Sequence, residues 1–78
     1  MKSTTRAVVQ KTVNGRHGPY AVATSDSIRG SITFSLHPPV WGERDIPEAG
    51  VSVLLSDIRQ KRAGWRAMSG RLLRPSDE

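Results

Sequence analysis

The stretch "RQKRAGWRAMSGRLLR", residues 59–74, decides the fold. It holds six of the chain's twelve Lys and Arg residues, at Arg59, Lys61, Arg62, Arg66, Arg71 and Arg74, and no acidic residue. Wound as a helix, it would gather Ile58, Trp65, Met68 and Leu72 near one face and read as a basic amphipathic helix. Asp57 could cap that helix, but Gly64 and Gly70 would lie in its interior, each costing about 1 kcal/mol relative to Ala. A strand reading puts the glycines to use. "VSVLLSDI" becomes a fourth strand, "RQKRAG" a charged turn, and "WRAMSGRLL" a fifth strand, bulged near Gly70. The glycines favour the strands.

Upstream, the same period-two pattern recurs. In "SITFSL", Ile32, Phe34 and Leu36 point one way and Ser31, Thr33 and Ser35 the other. In "VSVLLSD", Val51, Val53 and Leu55 share a face opposite Ser52 and Ser56. "TRAVVQKTV" is rich in β-branched residues, with Val9 and Val13 expected on one face and Val8 near the other. "YAVAT" is a short strand led in by Gly18-Pro19. Asn14-Gly15 inside "NGRHGP" marks a hairpin with a loop longer than two residues. "SDSIRG" turns the chain again, and Pro38, Pro39 and Pro47 make "HPPVWGERDIPEAG" a long irregular connection. The expected fold is all-β: a small, five-stranded antiparallel barrel, OB-fold-like, with an SH3-like barrel as the alternative. Residues 1–4 are expected to be a flexible N-terminus, 5–74 a single domain, and 75–78 a flexible tail. Ile32, Phe34, Leu36, Val51, Val53 and Leu55 should be buried, and Thr33, Ser35 and Ser52 not.

The 78 residues bound what such a domain can be. A chain this short buries only about 60% of its unfolded surface, so its core is thin. It has no cysteine, hence no disulfide and no thiolate metal site. No apolar run is long enough for a signal peptide or a membrane span, and a cytoplasmic location is expected. Seven carboxylates, two histidines and no thiol form no nucleophile–base pair or metal-ligand spacing, so neither an enzyme nor a cofactor is expected. The net charge of +5 and the pI near 10.8 attract polyanions. Charge is also segregated: Glu43, Asp45 and Glu48 crowd one segment, while residues 58–76 carry no acid.

On these features the chain resembles the cold-shock and related OB-fold nucleic-acid-binding domains, from about Thr5 to Arg74. "PEAGVSVLLSD" is similar to the family's fourth strand, with a Gly before an alternating apolar run. "AGWRAMSGRLL" is similar to the closing strand, which follows a glycine-containing turn. Of the two aromatic nucleic-acid motifs, the first has its nearest match in "GRHGPYAV", offering Tyr20 and His17. The second matches "ITFSL" in its inward residues, but Thr33 and Ser35 stand where the family has an outward aromatic and an outward His. The resemblance implies nucleic-acid binding with most of the stacking platform missing.

The expected function is therefore a non-catalytic module for single-stranded RNA or DNA, working as a monomer without a membrane. The candidate contacts are Arg59, Lys61, Arg62 and Arg66 in the basic stretch, with Lys11 and Arg16 near the first turn. Cations follow the phosphates, and a base stacks on an aromatic. Tyr20 is one candidate for that stack. Trp65, between Arg62 and Arg66, either stacks on a base or closes the core. Trp41, beside acids that repel phosphate, is expected to plug the barrel's open end. The alternative is a protein-interaction module using Trp41 and the Pro-rich loop. A third possibility, an amphipathic helix over residues 57–74 on anionic membranes, stands or falls with the helix reading.

Overall fold

The described residues of 59–74 contain no helix; the chain runs out along one strand and back along the next. A computed structural model describes residues 4–62 and 64–77. Its strands are β1 (Thr4–Gly15), β2 (Gly18–Ser25), β3 (Ile28–Ser35), β4 (Ser52–Lys61) and β5 (Gly64–Leu72). They close into a barrel in the order β1-β2-β3-β5-β4, with β4 returning to β1. This is the expected small all-β barrel of OB-like or SH3-like kind, with one amendment. Four seams are antiparallel, but β3 and β5 run parallel, pairing Ile32 with Trp65 and Thr33 with Arg66. The two strands lie side by side without a hairpin between them, because β4 intervenes in sequence.

The interior is narrow and is filled by complementary sizes. Ala21 faces Phe34 and Ala23 faces Ile32 across the β2–β3 seam, and all four are fully buried. Small residues opposite large ones let a barrel of this girth pack without voids. Ile32, Phe34, Leu36, Val53 and Leu55 are buried as expected, and Thr33, Ser35 and Ser52 are not. Val51 is only half-buried. It precedes β4 and works through its backbone, where its carbonyl accepts from the Val9 amide at 2.9 Å.

Two local irregularities reverse the alternation that the sequence suggests. The register between β1 and β2 slips between Val9 and Lys11. The extra residue carries Val13 away from the face of Val9, to stand opposite Tyr20 on the outside. In β4, Asp57 has a φ of 54°, left-handed backbone that Asp tolerates better than most residues. Leu55 and Ile58, three apart, consequently both pack on the core. β5 reverses with it, since Gly70 and Ala67 are the buried partners of those two residues. No register slip accompanies Gly70, and the bulge expected there is absent. Its bare Cα is a seat: a Cβ would lie 2.8 Å from Leu55 Cδ2 and 3.5 Å from the Trp41 ring.

Trp41 closes that end of the barrel. It is 3% exposed, its ring lies 5.5 Å from that of Phe34, and its Nε1 donates to the Asp45 carbonyl at 2.8 Å. A buried indole N–H needs such an acceptor. The backbone around it is stitched to β5, with Gly42 N donating to Gly70 O and Gly70 N donating to Val40 O.

Both basic turns are tighter than expected. Gly15 pairs with Gly18, leaving Arg16 and His17 as a two-residue turn. Lys61 pairs with Gly64, so "RQK" belongs to β4 rather than to a turn. Ala63 of that turn, Met1–Ser3 and Glu78 lie outside the described residues. Within the expected terminal segments, β1 already begins at Thr4, and Pro75–Asp77 form a short 3-10 turn.

Candidate nucleic-acid interface

Cross-strand partners point to the same side of a sheet, so the registers define the outer face. One row runs Lys11–Val22–Thr33–Arg66–Arg59 across all five strands. A second runs Val13–Tyr20–Ser35. A third places Thr24 beside Ser31, with Gly64 next to Ser31 and opposite Lys61. No residue in these rows is acidic.

Two clefts open on this face. The first, about 180 Å³, is bounded by the Arg16–His17 turn, Tyr20, Ser35 and Arg66. The second, about 140 Å³, is bounded by Ser31, Thr33, Lys61, Gly64, Trp65 and Arg66. The Tyr20 ring lies over the backbone of Gly15, where a Cβ would come within 2.8 Å of its Cε1. His37 covers Gly18 in the same way, at 2.5 Å from a Cβ built there, and Gly18 has a φ of 115°. A side chain at Gly15 would displace the Tyr20 ring that lines the first cleft.

The eight candidate residues divide in space. Lys11, Arg16, Tyr20, Lys61, Arg62 and Arg66 lie on the face or in the turns that border it. All five cations of this group are exposed, and no ion pair engages them among the described residues. Arg59 is on the face but turned to Asp57, which accepts from its Nε at 3.3 Å and from its Nη2 at 3.1 Å. Both partners are about half exposed, and such a surface pair contributes roughly 0–1 kcal/mol. Trp65 alternates with Arg66. It pairs with the buried Ile32 and packs half-buried against the core. It also lines the second cleft.

The hydroxyls were not singled out as contacts from the sequence, although their outward positions were legible. Ser31, Thr33 and Ser35 supply most of the polar lining between the cations. Thr33 Oγ1 donates to the Trp65 carbonyl at 3.4 Å and keeps its lone pairs as acceptors. The signal that joins them to Arg66 is the parallel β3–β5 seam, which no local pattern announces. No group of three His, Asp or Glu gathers among the described residues.

Elsewhere the basic stretch is partnered. Arg74 donates to Glu43 at 2.9 Å, bringing the end of the basic run onto the acid-rich connection. Trp41 is withdrawn into the core, which leaves Ile46, 58% exposed, as the large apolar residue that this connection shows to solvent. Comparison of the chain with protein-family models, with curated proteins and with solved structures returns no match.

Proposed function

We propose that the chain is a non-catalytic module that binds single-stranded nucleic acid on the outer face of β1, β2, β3 and β5, in the manner of OB-fold and cold-shock domains. One observation carries the reading: five exposed cations, with no ion pair among the described residues, lie on and around a face that holds Tyr20 and two clefts, and the carboxylate at its edge, Asp57, is taken up by Arg59. In OB barrels the β2–β3 surface and the β1–β2 and β4–β5 loops hold oligonucleotides; here Arg16, Lys61 and Arg62 lie at those two turns, and Lys11 and Arg66 flank the β2–β3 surface from β1 and β5. Duplex recognition is disfavoured because no helix longer than the 3-10 turn is described to enter a groove.

Electrostatics dominate the affinity, with Tyr20 in the first cleft and the half-buried Trp65 at the second as the aromatics a base can meet. The binding is weakly sequence-specific, because hydroxyls can meet either donor or acceptor edges of a base. The test is an NMR titration with short single-stranded RNA and DNA at several salt concentrations. Amides of β2, β3, β5 and both turns should shift, and log K should fall linearly with log salt. Shifts confined to the Glu43–Glu48 connection, or none, would refute the reading and favour a protein partner there.

A further inference from the structure

Arg66 borders both clefts, and each cleft is otherwise lined by different residues. The geometry points to a dinucleotide as the unit this face recognises: Arg66 holds one phosphodiester while the two bases it links enter the two clefts. The inference rests on the proposed nucleic-acid function and adds the register in which the strand lies.

Three observations support this assignment. The first is size. A cavity of about 150 Å³ accommodates a benzene ring. Clefts of about 180 and 140 Å³ are each of a size to take one pyrimidine-sized ring.

The second is charge. Arg66 lies between Thr33 and Arg59 in the central row, and Asp57 draws the Arg59 guanidinium to itself. Arg66 is therefore the unpartnered cation at the junction. Its planar fork suits a phosphodiester's two free oxygens. Arg16 borders only the first cleft and Lys61 only the second, where the flanking phosphates of a longer strand would fall.

The third is lining chemistry. The first cleft offers the Tyr20 ring and the Ser35 hydroxyl. The second offers the Ser31 and Thr33 hydroxyls beside Gly64, whose missing side chain leaves a ring room to approach the sheet. Each cleft thus offers a ring and hydroxyls, Tyr20 with Ser35 in the first and the half-buried Trp65 with Ser31 and Thr33 in the second.

The experiment uses the whole chain and follows backbone amides by NMR during titration with uridylyl-uridine, thymidylyl-thymidine, the matching 5′-mononucleotides and a single-stranded 10-mer. The dinucleotides should shift Tyr20, Ser35, Ser31 and Gly64 together with one Kd, at least about tenfold tighter than the mononucleotides. Arg66→Gln, an exposed substitution with the barrel's amide dispersion as its folding control, should abolish that advantage while mononucleotide shifts persist. Arg66→Lys, which keeps the charge but not the fork, should restore it only in part. A 10-mer that shifts the face while dinucleotides show no advantage, or an advantage that survives Arg66→Gln, overturns the dinucleotide register and leaves the proposed function intact. A 10-mer that leaves the face unshifted overturns both.

Discussion

The barrel has two basic outer faces, and they are built differently. On the β1–β4–β5 side, Arg6, Leu54 and Arg71 form a row, with Thr4, Ser56 and Ser69 beside it. The acid-rich connection reaches this side: Gly42 borders a cleft with Thr4, Ser69 and Arg71, and Glu43 takes Arg74. On the β1–β2–β3–β5 side the row Lys11–Val22–Thr33–Arg66–Arg59 meets a carboxylate at its Arg59 end, where Asp57 accepts. Counting cations would make the two sides look similar. What distinguishes them is how much charge is left over: Glu43 takes Arg74 on the first side and Asp57 takes Arg59 at the edge of the second, and the second still keeps five exposed cations with no ion pair among the described residues.

The contrast depends first on the plug that anchors the connection. Trp41→Ala removes the ring that packs on Phe34 and Gly70, and should cost about 3–5 kcal/mol, enough to unfold a domain of this size. Phe34→Ala should cost as much. Urea denaturation measures both, and a stably folded Phe34→Ala variant would contradict the core described above. Tyr20→Ala comes next. It should weaken oligonucleotide binding by about 1–3 kcal/mol and leave the salt slope nearly unchanged, because stacking releases no counterions. Fluorescence anisotropy against salt reads both quantities.

Replacing Lys61 and Arg62 together with Gln should flatten the slope of log K against log salt by about 1.4, with the fold unchanged. Arg6→Gln on the other face is the matched control and should leave the slope within error. An equal effect from Arg6→Gln would erase the distinction between the faces. The smallest effect is expected from Asp57→Asn. It should change stability by less than about 1 kcal/mol, since the Arg59 pair is exposed. By freeing Arg59, it should also steepen the salt slope slightly.

The sequence made some of this legible and hid the rest for physical reasons. Alternation in "SITFSL" and "VSVLLSD" located the core strands, because a half-buried strand writes its two faces into neighbouring residues. Gly64 and Gly70 tipped the reading from helix to strands, as the fold bears out, though Gly70 serves as a seat for Trp41 rather than as a bulge. Val13 was misplaced because a one-residue slip at Gln10 leaves no compositional mark. For the candidate site, the cations were visible as a run, but their partners were not. Arg59 and Arg74 are claimed by Asp57 and Glu43, one a local neighbour and one far along the chain. Trp65, undecided from sequence, packs half-buried against the core beside Ile32 across a parallel seam and still lines the second cleft.

That parallel seam also bears on how the molecule is assembled. β1, β2 and β3 follow one another as hairpins, and β4 and β5 make a separate hairpin, so each group can form from local contacts alone. The seams that join the groups, β1 with β4 and β3 with β5, bring together residues distant along the chain, the kind of contact that slows folding. Arg66 stands on one group, Tyr20 and Ser35 on the other, and the first cleft exists only after the two have met. A ligand seated there therefore holds the halves closed, raising the melting temperature as its concentration exceeds its Kd. Thermal shift with oligonucleotide thus reports on closure of the barrel as well as on occupancy of its surface.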